Sequence, residues 1–172
     1  CKKIISPAMN TQMYQNQITQ DNLLKLKDYG FEVIDPATGM LACRDVGEGK
    51  LPDPETLLDY ILKEIAYEKD MKGLNVLVTA GPTTEAIDPV RYITNHSTGK
   101  MGYAIANCAM LRGANVTLVT GPTSLPKPPF VNTISIKSAE EMFDAVTSCS
   151  DTQDIIIKAA AVADYRPASV SD

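Results

Sequence analysis

The chain has 172 residues, enough for one ordinary core or for parts of two domains joined by a short connector, since domains run to about 100–150 residues. Its formal net charge of −5 comes from acidic and basic residues interspersed throughout, so no basic stripe exists to neutralise a phosphate backbone, and nucleic acid is excluded as the expected partner. No apolar run approaches the roughly 20 residues that span a bilayer, and Cys1-Lys2-Lys3-Ile4-Ile5-Ser6-Pro7 is too short and wrongly flanked for a secretion signal, so a cytoplasmic protein without a membrane partner is expected.

Lys3 to Ser6 reads as a short strand that breaks at Pro7. A polar loop from Asn10 to Gln20 leads to Asp21, the expected N-cap of a helix over Asn22 to Tyr29, with Gly30 as its C′ residue. Phe31 to Ile34 is the next strand, followed by a Gly- and Pro-punctuated loop from Asp35 to Pro52, of a length usually associated with function or mobility. Asp53-Pro54 then starts a helix in which Leu57, Leu58, Ile61, Leu62 and Ile65 share one apolar face. The charged segment Ala66 to Gly73 carries no β pattern, and a domain boundary is placed near Asp70.

Beyond it, Leu74 to Thr79 is a strand leading through a polar loop into a helix from about Lys100 to Arg112. Strands follow at Val116 to Val119 and Val131 to Ile136, separated by the Pro-rich loop Gly121 to Pro129. A helix from Ala139 to Val146, capped by Ser138, precedes the run Ile155 to Ala161. Alternating strands and helices with apolar strand centres predict an α/β fold with a parallel, doubly wound sheet covered on both faces. The chain opens without a methionine in what reads as a core strand and stops just after another, which leads us to expect a segment of a longer protein. The four cysteines Cys1, Cys43, Cys108 and Cys149 lie too far apart for a zinc pair or a disulfide framework, so free thiols are expected.

The stretch from Leu77 through Gly81-Pro82-Thr83-Thr84-Glu85 to Asn95-His96-Ser97-Thr98-Gly99-Lys100-Met101-Gly102 runs from a strand into a helix with a glycine-containing first turn, which offers free N–H donors to an anion. A phosphate-bearing ligand is the natural guest. A nucleotide P-loop does not fit, because Met101 stands where Ser or Thr must meet magnesium. A dinucleotide GxGxxG does not fit either, since Pro82 follows Gly81. His96 is the sole histidine; no triad or metal cluster can be assembled around it, and a packing or hydrogen-bonding role is expected.

The run Thr79 to Gly102, the following Tyr103-Ala104-Ile105-Ala106, and Ala159-Ala160-Ala161-Val162-Ala163-Asp164-Tyr165-Arg166-Pro167 resemble the phosphopantothenate-cysteine ligase family. That resemblance implies a Rossmann-like domain over residues 71–172 that uses CTP and Mg²⁺ to activate the phosphopantothenate carboxylate as an acyl-cytidylate, which cysteine then attacks. It implies that Asn95 contacts the acyl-cytidylate, that Arg91 lies near the substrate phosphate, and that Ser97, Gly99, Lys100 and Gly102 form the loop at the helix start. Lys158, Ala159, Ala160 and Asp164 would line the CTP site.

Pro7-Ala8-Met9-Asn10 with Met13, and Leu41-Ala42-Cys43-Arg44-Asp45-Val46-Gly47-Glu48-Gly49-Lys50, resemble the closing third of the flavin-dependent phosphopantothenoylcysteine decarboxylases. This implies that residues 1–70 are the C-terminal part of a flavodoxin-like FMN domain, with Asn10 gripping the substrate carboxylate and Cys43, on a mobile flap, supplying a proton to the enethiol intermediate. The family's flap carries a glycine where Arg44 stands and ends in arginine where Lys50 stands. Together the two resemblances point to the junction of a bifunctional coenzyme A biosynthesis enzyme, acting on 4′-phosphopantothenate, cysteine and CTP. They imply a homo-oligomer, dimeric through the ligase and trimer-based through the decarboxylase, with the decarboxylase's histidine and the ligase's lysine-rich loop outside this segment.

Two other classes compete with this reading. A nicotinamide-dinucleotide oxidoreductase needs an acid at the end of the second strand to hold the ribose, whereas Val119-Thr120-Gly121-Pro122 supplies none. A non-catalytic regulatory or assembly homologue is favoured by Arg44 and Lys50 but opposed by the presence of Asn10, Cys43 and Asn95.

Overall fold

The computed structural model describes residues 1–41 and 44–170, which fall into two compact units, Cys1–Ala66 and Tyr67 onward. In the first unit, β1 (Lys3–Ile5) pairs in parallel with β2 (Phe31–Val33). Between them the expected polar loop is helical, forming α1 (Thr11–Gln15) and α2 (Gln17–Asp28). Asn10 and Asn16 provide the N-caps, accepting from the Gln12 and Ile18 N–H groups. Asp21, expected as the cap, lies inside α2, where it accepts a hydrogen bond from Gln17. The Asn16 cap lets the chain turn and restart a helix one turn earlier than the apolar pattern suggested. Gly30 holds the expected C′ position at φ +80.

The second departure is the 35–52 loop, which contains an antiparallel hairpin of β3 (Ala37–Met40) and β4 (Val46–Lys50). Thr11 donates its hydroxyl to the Glu48 carbonyl, and Met9 N–H bonds the Gly49 carbonyl. Helix α3 (Pro54–Ile65) follows, and its Leu58, Ile61, Leu62 and Ile65 stay exposed. Leu23, Ile34 and Leu41 are buried apolar residues of this unit, together with Pro7 and Pro52.

The second unit is built on a four-stranded parallel sheet of β5 (Asn75–Ala80), β8 (Asn115–Thr120), β9 (Asn132–Ser135) and β10 (Ile155–Lys158), in the order β10-β5-β8-β9. Its two helices cover opposite faces. Val76, Val78 and Ala80 of β5 pack with Ala106, Ala109 and Met110 of α4 (Lys100–Leu111). Leu77 packs with Val119, Ile136 and Met142, the last from α5 (Ala139–Ser150). The doubly wound parallel α/β fold expected from the apolar strand runs is therefore observed. Ser138 caps α5 as expected, accepting from Glu141 N–H, while the Glu141 carboxylate reaches back to Lys137 N–H.

A short antiparallel hairpin, β6 (Thr84–Ala86) with β7 (Tyr92–Thr94), interrupts the polar connection between β5 and α4. Where α4 begins, Gly102 lies so close to β5 that an added Cβ would fall 2.5 Å from the Ala80 Cβ and 2.9 Å from the Thr79 carbonyl oxygen. Helix propensity alone favours alanine there by about 1 kcal/mol. Overpacking against strand backbone costs about 1–3 kcal/mol, and here it meets atoms that cannot swing away. Gly102→Ala is therefore expected to lower the urea midpoint of this unit, and a raised midpoint would contradict the packing.

Candidate functional site

In the parallel sheet, the chain passes from β5 outward through β8 to β9, then crosses back to place β10 on the far side of β5. The order reverses between β5 and β10, and the carboxyl ends of those strands at such a reversal open the crevice where α/β sheets bind ligands. His96, Ser97, Gly99, Lys100 and Met101 face Ala159 across a cleft of about 530 Å³ at this point. Gly99 adopts φ +74 as the N-cap of α4, a left-handed conformation that glycine reaches without strain. It packs on Gly81, also at φ +74, and a Cβ on either would collide with the Thr123 methyl. The first-turn amides of α4 thus open toward Ala159, with the exposed Lys100 beside them.

The wall formed by residues 159–163 is tied to β5 and its exit. Ala159 and Ala160 N–H both donate to the Thr79 hydroxyl at 3.1 and 3.2 Å, and Ala161 N–H donates to the Gly81 carbonyl at 2.9 Å. Ala163 N–H donates to the Thr83 hydroxyl at 2.9 Å, while Thr94 donates its hydroxyl to the Thr83 carbonyl at 2.7 Å. Asn95 joins the two walls, its Nδ2 donating to the Val162 carbonyl at 2.9 Å with a longer 3.4 Å approach to Ala161.

The sequence-derived residues therefore divide. Ser97, Gly99, Lys100 and Ala159 share one cleft, Gly102 sits in the α4 turn behind it, and Asn95 bridges its sides. Ala160 follows Ala159 in the tied wall, and Lys158 ends β10 with its side chain exposed. His96 is exposed at the rim, not packed as expected. Arg91 and Asp164 lie in neighbouring clefts. Arg91 is in one of about 980 Å³ beside the β6–β7 turn, and Asp164 is in another with Glu85, Glu140 and Arg166. Buried Glu85 accepts from the Ala139 N–H at the start of α5. Sequence reasoning missed Thr79, Thr83 and Thr123; Thr79 alone stands near the end of an otherwise apolar buried strand, and that position does not show what its hydroxyl meets.

Arg91 is held by Asp88, whose carboxylate accepts from the Arg91 N–H at 2.6 Å, the Arg91 Nε at 2.6 Å and the Val90 N–H at 2.9 Å. The Arg91 backbone bond, then its guanidinium, then the Val90 bond hold the Asp88 carboxyl below the usual carboxylate range.

In the first unit, Asn10 lines a cleft of about 400 Å³ with Met9, Met40, Leu41, Gly49 and Lys50. Its Oδ1 caps α1 by accepting from the Gln12 N–H. Lys50 pairs with Asp53 at 3.3 Å. Arg44 has φ +66, left-handed at the position where the flap resemblance expects glycine. Cys43 lies outside the described residues.

Comparison with known proteins follows this division. The family model for the DNA/pantothenate metabolism flavoprotein C-terminal domain matches residues 71–172, and the Flavoprotein model matches residues 1–66. The Coenzyme A biosynthesis bifunctional protein CoaBC of Vibrio vulnificus is 54% identical over 168 residues, covering 98% of this chain and 42% of that protein. Its Escherichia coli counterpart is 51% identical over 167 residues, covering 97% and 41%. The crystal structure of the C-terminal domain of such a protein matches with a TM-score of 0.55 and 55% identity, covering 58% of this chain and 50% of that one. The chain therefore spans about 42% of the length of the relatives it matches.

Two outcomes are expected from these local geometries. Since the folded Asp88 carboxyl is depressed, its contribution to the β6–β7 turn is complete above the unfolded carboxylate value of about 3.9 and fades as pH falls through the lower folded value. An NMR titration of the Val90 and Arg91 amides should show a midpoint below about 3.9, absent in Asp88→Asn; a midpoint at or above it would remove the proposed cause. Arg44→Gly should stabilise the β3–β4 hairpin by about 1 kcal/mol, seen as slower amide exchange across the hairpin, because the left-handed conformation carries no Cβ penalty in glycine.

Proposed function

The chain belongs to the DNA/pantothenate metabolism flavoprotein family through residues 71–172, and from that premise we propose that a protein carrying it joins cysteine to 4′-phosphopantothenate with CTP and Mg²⁺ and decarboxylates the product to 4′-phosphopantetheine with FMN. The observation that carries the ligase reading is the meeting of the α4 N-terminus with the Ala159 wall where the strand order reverses. Relatives named as bifunctional coenzyme A biosynthesis proteins support the pairing of the two activities. In this reading residues 1–70 are the decarboxylase part and 71–172 the ligase part.

The donor set fits a nucleotide triphosphate. First-turn amides of α4, Ser97 and Lys100 offer hydrogen bonds and positive charge to phosphate oxygens. Mg²⁺ would bind chiefly through the triphosphate oxygens, as is usual for this ion. The CTP would supply the leaving group that activates the substrate carboxylate.

Lys158, Ala159 and Ala160 would border the nucleotide, and Asp164 would accept from ribose or base donors across the adjoining cleft. Asn95 would contact the acyl-cytidylate. Its Nδ2 is held by the Val162 carbonyl, and an amide so placed can donate to a developing oxyanion. Arg91, oriented by Asp88, would face the substrate phosphate from the exposed turn.

For the decarboxylase part, Asn10 and Lys50 line one cleft, where an amide and an ammonium suit a carboxylate. Cys43 would supply the proton to the enethiol. The role proposed for the described residues of this unit is substrate holding. A homo-oligomeric protein acting on small molecules in the cytoplasm completes the reading; among the described residues no helix is long and apolar enough to cross a membrane.

The test uses a protein of the relatives' full length that contains this segment, incubated with 4′-phosphopantothenate, cysteine, Mg²⁺ and either CTP or ATP, with products followed by mass. Coupled product with CTP, and its further loss of CO₂, is expected. Asn95→Ala should lower the coupling rate about 10²-fold or more, in line with loss of an oxyanion donor. Unreacted substrates with both nucleotides would reject the reading.

A further inference from the structure

The segment 159–163 follows a four-residue strand with only a bridge from Ala161 to Pro82, and its half-buried backbone must find further partners for its N–H groups. Two of those partners are side chains. Thr79 is 4% exposed and Thr83 fully buried, and both stand at the end of β5 or just beyond it. Their hydroxyls take the amides of Ala159 and Ala160, and of Ala163, respectively. Ala159 N–H also approaches the Thr79 carbonyl at 3.2 Å, so Ala160 is the amide that depends on the Thr79 hydroxyl. Thr83 is anchored from the other wall by Thr94, immediately before Asn95.

We propose that Thr79 and Thr83 are positioning residues that set the nucleotide-facing wall 159–163 by accepting its backbone amides, so that nucleotide affinity depends on two hydroxyls that need not touch the nucleotide. The proposal rests on the ligase reading for its nucleotide. Its mechanical part stands on the hydrogen bonds alone. Without the hydroxyl, a buried donor keeps its desolvation penalty with no partner, which drives the segment to move toward solvent. Serine keeps the acceptor, whereas valine keeps the branched shape that β5 packs and removes it.

The experiment compares Thr79→Val, Thr79→Ser, Thr83→Val and Thr83→Ser in the full-length protein by amide exchange and by steady-state kinetics with CTP. Thr79→Val should speed exchange at Ala160 by about tenfold or more while the core amides of Val76 to Val78 are unchanged, and Thr83→Val should do the same at Ala163. Both valine variants should raise the KM for CTP more than they lower kcat, and both serine variants should restore exchange and KM. The proposal is overturned if exchange at 159–163 stays at the wild-type rate, if it rises equally throughout the sheet, or if serine behaves like valine. If Thr79→Val fails to fold, Thr83→Val decides on the same criteria. If the wild-type protein uses no nucleotide, the ligase reading falls, while the exchange data still decide whether the hydroxyls hold the wall.

Discussion

Strand β5 is the element on which the second unit depends. Its residues Val76, Leu77 and Val78 are fully buried, with α4 on one face and α5 on the other, and its two edges are taken by β8 and β10. A strand enclosed on four sides cannot shift by one residue without turning Val76 and Val78 away from α4, so its register is fixed by burial. Its end is fixed with it. The loops after β5, β8 and β10 leave from defined points, and the cleft between the α4 start and Ala159 is a consequence of that packing.

Beyond the ends of β5 and β10, the ladder thins to a single bridge between Pro82 and Ala161, and side chains take up part of the backbone hydrogen bonding. Thr79 and Thr83 accept amides of the 159–163 segment, Asn95 reaches the same segment from the end of β7, and Thr94 ties that end to Thr83. Small polar side chains can do this where a longer one would fill the cleft, and each bond satisfies a group that solvent reaches poorly. Close backbone approach completes the junction: an added Cβ on Gly121 would overlap the Pro82 carbonyl. The result is a crevice with irregular walls and little freedom, the condition a binding site needs if its donors are to be preorganised.

Much of this was legible in the sequence, and the parts that were not share a cause. Apolar strand runs and helical spacing revealed β5, β8, α4 and α5 because burial on a parallel sheet forces that pattern. The hairpins were hidden, since β3 and β4 together contain three glycines and β6 and β7 have three residues each, too few for alternation to register. Helices α1 and α2 were hidden because their stop and restart depends on asparagine caps within a uniformly polar stretch. For the candidate site, the glycine-containing loop and the alanine run were visible as motifs. Thr79 and Thr83 were not, because nothing in their spacing says that their hydroxyls reach across to amides about 80 positions later.

The β3–β4 hairpin shows what holds a turn when one residue departs from the family pattern. Arg44 occupies a left-handed conformation that costs a non-glycine residue about 1–2 kcal/mol. The conformation persists because the hairpin is fixed elsewhere. A Cβ on Gly47 would collide with the Thr11 hydroxyl and one on Gly49 with the Met9 carbonyl, so β4 lies directly against the loop that carries Asn10. Thr11 and Met9 add hydrogen bonds to Glu48 and Gly49 at the same place. The Gly49 contact is with backbone and cannot be relieved by a rotamer change, whereas the strain at Arg44 is borne by one exposed residue. The backbone path near Asn10 is therefore set by Gly47 and Gly49, and position 44 affects how much stability that path retains, not where it runs.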